Sequence, residues 1–173
     1  MDAIERAVNI QLVIFDVDGV LTDGGLYFDD DGRQYKRFHS RDGHGLRMLG
    51  DAELQTAILT GRRSGVVEHR ARELHVDHVI QGQREKLPAF VELCTRLGLA
   101  AGQTAYMGDD VLDLPVMRRC GLALAVADAH PLVRHHAHWL SRCNGGGGAV
   151  REACEFILRA QGRLEAAHAR WLD

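Results

Sequence analysis

Two aspartates one residue apart, Asp16 and Asp18, stand where the apolar run Leu12-Val13-Ile14-Phe15 ends, and Gly19 follows at once. Carboxylates this close repel each other unless a cation lies between them. Mg²⁺, a hard ion that prefers carboxylate oxygen, suits such a pair. An acidic turn alone is also an ordinary cap for the next element, and three further signals set this one apart. Leu59-Thr60-Gly61-Arg62 ends a second apolar run, with a hydroxyl and backbone N–H groups expected at a helix N-terminus, an arrangement that binds phosphate. Lys86 opens a later helical pattern, where an ammonium could offset phosphate charge. Met107-Gly108-Asp109-Asp110 ends another run, with Asp113 close behind. A solvated lysine or a Gly-Asp-Asp turn means little by itself. Four such signals at the ends of successive apolar runs point to metal-assisted chemistry on a phosphate group.

The runs that must position these residues read as strands. Leu12 to Phe15, Thr56 to Leu59, Thr104 to Met107 and Leu122 to Val126 are short, apolar and continuous, the pattern of strands buried on both faces, and a shorter piece, His78-Val79-Ile80, suggests a further strand. Between them lie helical patterns. Val67, Ala71 and Leu74 share a face behind a Ser64 cap, and Leu87, Phe90, Val91, Cys94 and Leu97 share another, stopped by Gly98. Strands alternating with helices predict an α/β fold: a mostly parallel, Rossmann-like sheet with helices on both faces, whose ligands bind beyond the carboxyl ends of the strands. Leu26-Tyr27-Phe28, an Asp-rich stretch ending in Gly32, and Tyr35 to His39 predict an inserted β-hairpin flap over about 24–40. Gly145 to Gly148 suggest a mobile hinge before an amphipathic tail helix carrying Val150, Cys154, Ile157 and Leu158, the tail as a whole running over about 144–173.

At 173 residues, with 46% hydrophobic and 26% charged content, the chain suits one hydrolase-sized domain over 1–173, with neither a disordered nor a fibrous composition. A formal charge of -3 provides no field for nucleic acid. The longest apolar runs, about five to seven residues, fall far short of the roughly 20 that cross a bilayer. The opening MDAIERAVNI carries two acids and does not read as a secretory signal, so a cytoplasmic location is expected. Cys94, Cys120, Cys143 and Cys154 form no C-x-x-C pair and read as fillers in a reducing compartment. His130, His135, His136 and His138 crowd together without the spacing of a helical zinc site, and a solvated helix face accounts for them.

The series Asp16-x-Asp18-x-Val20-x-Thr22, Thr60-Gly61, helix-opening Lys86 and Gly108-Asp109-Asp110-x-x-Asp113 resembles the haloacid dehalogenase-like phosphohydrolases, in the same order, from about Gln11 to Ala127. Two further phrases, Arg37-Phe38-His39-Ser40-Arg41-Asp42-Gly43-His44-Gly45 and Gly145-Gly146-Gly147-Gly148-Ala149-Val150-Arg151-Glu152, extend the likeness to that family's small branch without a cap domain. The resemblance implies that Asp16 is a nucleophile forming an aspartyl-phosphate and Asp18 the general acid and base. It implies Mg²⁺ held by Asp16, the Asp18 carbonyl and Asp109, phosphoryl oxygens held by Thr60 and Lys86, and Asp110 and Asp113 orienting the metal's surroundings and Lys86. The substrate it implies is the 8-phosphate of an eight-carbon keto-deoxy sugar acid, consumed in lipopolysaccharide precursor synthesis. A nine-carbon analogue, another sugar phosphate and a non-catalytic oligomerisation domain are the alternatives. Arg62, and Arg70 about two helical turns on, are candidates for the substrate carboxylate, set against plain solvent-exposed helix charge, and Asp42 and Gly43 join them as substrate-binding candidates. The branch also implies a homotetramer whose flaps meet centrally and whose glycine hinge lets the tail, with Arg151, swing over a site. A response-regulator receiver fits poorly, because its accepting aspartate comes from a later strand and precedes its Thr and Lys.

Overall fold

The computed structural model describes residues 1–169, 171 and 172. In chain order the elements are α1 (Ala3–Ala7), β1 (Leu12–Phe15), β2 (Tyr27–Phe28), β3 (Gln34–Tyr35), α2 (Ser40–Asp51), β4 (Gln55–Leu59), α3 (Gly65–Leu74) and β5 (His78–Ile80). They continue with α4 (Lys86–Leu97), β6 (Thr104–Gly108), α5 (Leu114–Met117), β7 (Leu122–Ala125), α6 (Pro131–His136), β8 (Trp139–Leu140), α7 (Ala149–Ala160) and α8 (Leu164–Ala169).

Among the described residues six strands form one parallel sheet in the order β5-β4-β1-β6-β7-β8. β1, β6 and β7 are buried at every position, which is why their sequences are apolar without alternation. From β1 the chain steps outward to β4 and β5, then returns past β1 to β6, β7 and β8. Right-handed crossovers therefore carry α2 and α3 over one face and α4, α5 and α6 over the other. α7 packs on α2 and α1 on α7, completing the first layer. The strand order reverses between β1 and β6, the place where parallel sheets open a crevice at their carboxyl ends. In register, Phe15 of β1 lies between Ile58 of β4 and Met107 of β6. Asp16 and Asp109 thus leave neighbouring strands almost level with each other.

Several local expectations change. α2 was not marked by the sequence pattern, since Gly43, Gly45 and Gly50 are poor helix formers. Packing presses on Gly45, where a Cβ would sit 3.1 Å from the Arg151 Cα, whereas a Cβ on Gly43 would meet only movable side-chain ends, the Arg70 guanidinium and a Leu74 methyl. β8 is only two residues long and was also missed. The hairpin is present but short, β2 pairing antiparallel with β3, and its turn is gathered by Asp29, whose carboxylate accepts the Asp31 and Arg33 N–H groups. Leu26, Tyr27, Phe28 and Tyr35 are exposed there, whereas Phe38 packs against the core with the Arg70 guanidinium 5.8 Å from its ring centre.

The glycine run is not a free hinge. Its four N–H groups donate to Asp128 Oδ1, the Val20 carbonyl, the Asn144 carbonyl and Asp42 Oδ2 in turn. A Cβ on Gly145 would fall 1.8 Å from the Gly19 carbonyl oxygen, so the run is glycine because it lies against the loop after β1. α7 then buries Val150, Cys154, Ile157 and Leu158 completely, as part of the core. The expected tail range reaches 173, and positions 170 and 173 lie outside the described residues. Among the histidines, His130 Nδ1 accepts the Leu132 N–H at the start of α6, His138 Nδ1 accepts the Ala123 N–H, and the His135 and His136 rings meet edge to face. Among the described residues no helix is long and apolar enough to cross a membrane.

Candidate active site

A cavity of about 310 Å³ opens at the carboxyl edge of β1, β4 and β6, lined by Asp16, Asp18, Thr60, Arg62, Lys86 and Asp109 together with Gly24, Leu26, Gly61, Asp110, Leu112 and Asp113. Asp16 directly follows β1 and its N–H is tied to the Met107 carbonyl of β6 at 3.1 Å. Its Oδ1 accepts the Val17 N–H at 2.7 Å, and its Oδ2 lies 2.8 Å from Lys86 Nζ. The chain then turns tightly over Val17–Leu21, with Gly19 at φ 87°. Only glycine suits that place, since a Cβ there would overlap Asp109 Oδ2 at 2.1 Å, besides the cost of the left-handed backbone. Thr22 closes the turn: its hydroxyl donates to the Val17 carbonyl and accepts the Gly19 and Gly24 N–H groups. The threonine of the motif is therefore the clasp of the loop that carries both aspartates.

Lys86 opens α4, as its position in the sequence suggested, and is 3% exposed. Its ammonium reaches Asp113 Oδ1 at 2.6 Å, Asp16 Oδ2 at 2.8 Å and the Tyr106 hydroxyl at 3.2 Å. Tyr106, a buried β6 residue that the motif reading passed over, also donates to Asp113 Oδ1 at 2.7 Å. Asp113 Oδ2 accepts the N–H groups of Asp109 and Asp110. Asp113 is thus saturated with donors and acts as the bracket for Lys86. Burial works against the charge on Lys86, but Asp16 and Asp113 outweigh it and the group titrates above the ordinary lysine range.

Thr60 sits at the end of β4, 3% exposed and facing the cavity, but not at a helix N-terminus. Its N–H is taken by the Ile80 carbonyl of β5, and α3 starts only at Gly65, with no side-chain cap from Ser64. Arg62 reaches the cavity, its Nε 3.7 Å from Asp18 Oδ2. Asp110 is exposed and caps its own turn through the Val111 N–H.

Arg70, Asp42 and Gly43 are not brought to this cavity. They surround a separate space of about 10 Å³, room for little more than one water. Arg70 pairs with Glu73 at 2.9 Å, and the buried Asp42 carboxylate accepts the Gly148 and Arg151 N–H groups, tying α2 to the start of α7. Within the chain Asp42 holds α2 to α7, and Arg70 lies over Phe38, outside the acidic cluster. Lys36, which the motifs did not mark, does the reverse: it extends from the hairpin to pair with Asp18 Oδ1.

The acidic cluster has the character of a cation site. One oxygen each of Asp16, Asp109 and Asp113 lie within 4.8 Å of one another. Asp109 Oδ1 is buried with no hydrogen-bond partner, an arrangement that leaves a carboxylate oxygen desolvated and unused. Burial and the charges of Asp113 and Asp16 push Asp109 up to about 8, and burial with Asp113 pushes Asp16 up to about 6 against the pull of Lys86. A divalent cation would relieve both, so the residues present fit one. The sign of the linkage follows: with both pKa values raised from 3.8, the folded protein keeps protons that the unfolded chain has lost. Without a cation, the thermal midpoint should therefore fall as pH rises from about 4 to about 8. Asp109→Asn should remove most of that slope, and a slope unchanged in the variant would refute the assignment. Mg²⁺ at a hundred times its Kd should raise the midpoint at neutral pH by roughly 5–10 °C.

Comparison with known proteins agrees with this geometry. Residues 75–153 match the family described as haloacid dehalogenase-like hydrolase. The 3-deoxy-D-manno-octulosonate 8-phosphate phosphatase KdsC of Yersinia pestis is 50% identical over 166 residues, covering 96% of this chain and 89% of that protein. A probable YrbI family phosphatase from Pseudomonas syringae superposes with a TM-score of 0.98 at 50% identity, covering 99% of this chain and 98% of the other. The 3-deoxy-D-manno-octulosonate 8-phosphate phosphatase from Moraxella catarrhalis, in complex with magnesium ion, phosphate ion and KDO, superposes with a TM-score of 0.96 at 40% identity, covering 98% and 97%. A parallel sheet with its acidic loop at the strand-order reversal, matched over nearly the whole length by these proteins, places the chain among the haloacid dehalogenase-like hydrolases, in the 3-deoxy-D-manno-octulosonate 8-phosphate phosphatase family.

Proposed function

We infer that this chain is a Mg²⁺-dependent phosphatase that hydrolyses 3-deoxy-D-manno-octulosonate 8-phosphate to the free sugar acid and phosphate. The observation that carries the reading is the pairing, in one cavity, of a buried Asp16 carboxylate held by Lys86 with an Asp109 oxygen that has no partner. The Moraxella catarrhalis relative, with magnesium, phosphate and the sugar acid together, supports both the ion and the substrate class.

Asp16 attacks phosphorus in line, its carboxylate oxygen forming the new bond as the ester bond to the sugar oxygen breaks. Asp18 gives its proton to the departing alkoxide. It then takes one from the water that attacks the aspartyl-phosphate, so that phosphate leaves and Asp16 is restored. Lys86 and Thr60 hold the phosphoryl oxygens, and Asp113 with Tyr106 keeps Lys86 charged and aimed. Asp16, Asp109 and the Asp18 carbonyl would hold the ion, which supplies the charge neutralisation that lets an anionic nucleophile approach a phosphate. Asp110 belongs to the rim beside it. Arg62, half-exposed at the cavity, is the residue offered to the substrate carboxylate.

The same reading assigns the reaction to lipopolysaccharide precursor synthesis in the cytoplasm, where the four free cysteines suit a reducing compartment. The exposed Leu26, Tyr27, Phe28 and Tyr35 of the hairpin favour self-association, as a homotetramer. The test is phosphate release from a panel of sugar phosphates with Mg²⁺ and then with a chelator. The expected result is strong preference for the eight-carbon acid and loss of activity in the chelator. Preference for the nine-carbon acid would discard the substrate, and release that survives chelation would discard the metal-assisted chemistry.

A further inference from the structure

Lys36 lies just past β3, and no periodicity or motif distinguishes it. Its side chain is nevertheless 1% exposed, and its ammonium pairs with Asp18 Oδ1. Lys36 is not among the residues lining the cavity, whereas Asp18 and Arg62 are. It therefore meets the carboxylate from behind. The other oxygen, Asp18 Oδ2, has only the loose 3.7 Å approach of Arg62, whose side chain is 54% exposed. The two oxygens are thus unlike: Oδ1 is bound to a buried cation, and Oδ2 remains for the cavity. A buried ammonium also holds its partner harder than a solvent-screened one does. The hairpin that carries Lys36 is itself seated on the nucleophile loop, through the Thr22–Phe38 bridge and the Tyr27 hydroxyl on Asp23.

We propose that Lys36 is a positioning residue for proton transfer: by pinning Asp18 Oδ1 from behind, it presents Oδ2 to the leaving oxygen of the substrate. The proton passes from Asp18 Oδ2 to the sugar oxygen as the ester P–O bond breaks and the bond to Asp16 forms, and Lys36 exchanges no proton. The hairpin is then part of the catalytic machinery of its own chain, because its seating sets the rotamer of the acid. This inference rests on the acid role given to Asp18 above, but not on the identity of the sugar.

The test compares leaving groups. Alkyl phosphates need a proton on the departing oxygen, whereas 4-nitrophenolate leaves without one. Lys36→Met should lower the single-turnover rate of Asp16 phosphorylation, the step that needs the leaving-group proton, by about a hundredfold on 3-deoxy-D-manno-octulosonate 8-phosphate and on arabinose 5-phosphate, which has no carboxylate. On 4-nitrophenyl phosphate that rate should fall no more than about fivefold, and the concentration that half-saturates it should stay within about twofold for all three. Lys36→Arg should recover most of the alkyl-ester rate. In an Asp18→Asn background Lys36→Met should have no further effect on alkyl esters, since the two act as one unit. If the methionine variant does not fold, Lys36→Gln is read in its place. Equal losses on alkyl and aryl esters would overturn the proposal, as would a raised half-saturating concentration on the sugar acid alone, which would make Lys36 a substrate contact. If wild type releases phosphate from arabinose 5-phosphate but not from the octulosonate ester, the substrate assignment fails while the leaving-group comparison still judges Lys36.

Discussion

Asp16→Asn should abolish turnover, lowering phosphate release by about 10⁴-fold or more while leaving the protein folded. Asparagine keeps the size of the side chain and an oxygen for the Val17 N–H, so the loop after β1 retains its clasp. It removes one of the three crowded carboxylates, one that burial and the Asp113 charge already push up to about 6, so the variant should be no less stable than wild type in the absence of a cation. What it lacks is the nucleophile: an amide oxygen does not form the acyl phosphate. Two measurements check this together. Rapid acid quench of wild type turning over labelled substrate should leave phosphoryl label on Asp16, and the variant should carry none. A variant with more than about 1% of wild-type rate would mean that water, not Asp16, attacks phosphorus.

Ending the chain after Asn144 should leave a protein with no cooperative thermal transition. If the glycines were the mobile hinge that their run suggests, the tail could be removed with only turnover altered. In the structure that cut removes α7, where Val150, Ile157 and Leu158 are completely buried against the rest of the core. At about 1.5–3 kcal/mol for each such side chain, the loss is roughly 5–9 kcal/mol. That is comparable to the whole stability of a domain, about 5–15 kcal/mol. The cut also strands the buried Asp42 carboxylate without the Gly148 and Arg151 N–H groups that satisfy it. It further takes away Gly145 and Gly146, which lie against the Gly19 carbonyl and the Val20–Asp23 backbone. Calorimetry on the shortened chain is the check. A sharp transition near the wild-type midpoint, with altered kinetics, would restore the tail as a mobile closure.

The difference between these two cases shows what each level of description carries. Chemistry that depends on residue type at the end of a buried strand was legible in the sequence. Leu12 to Phe15 and the runs ending at Leu59 and Met107 are apolar because both faces of each strand are covered. An acid, a hydroxyl or a glycine directly after such a run must emerge at one edge of the sheet, so Asp16, Thr60 and Asp109 could be brought together by order alone, with Lys86 following β5 at the start of α4. Glycine was read by its freedom, and that is where the reading failed. Gly45 lies inside α2 against the backbone of α7, and Gly145 lies against the loop after β1, each set there by the closeness of another backbone rather than by mobility. The approach of a segment more than a hundred residues away leaves no local trace in either partner.

The same reason divides the site itself. The sequence by itself marked five of the six strands, the sheet edge where their flanking residues emerge, the tight acidic turn after β1 and the set of carboxylates that call for a divalent cation, because all of these follow from local pattern. Only the tertiary structure decided that Lys36 stands behind Asp18, that Tyr106 joins Asp113 in bracketing Lys86, that Asp42 ties α2 to α7 and that Arg70 packs on Phe38 outside the cavity. Those contacts join residues that are distant in the chain. Their strength comes from burial, which only the packed fold confers.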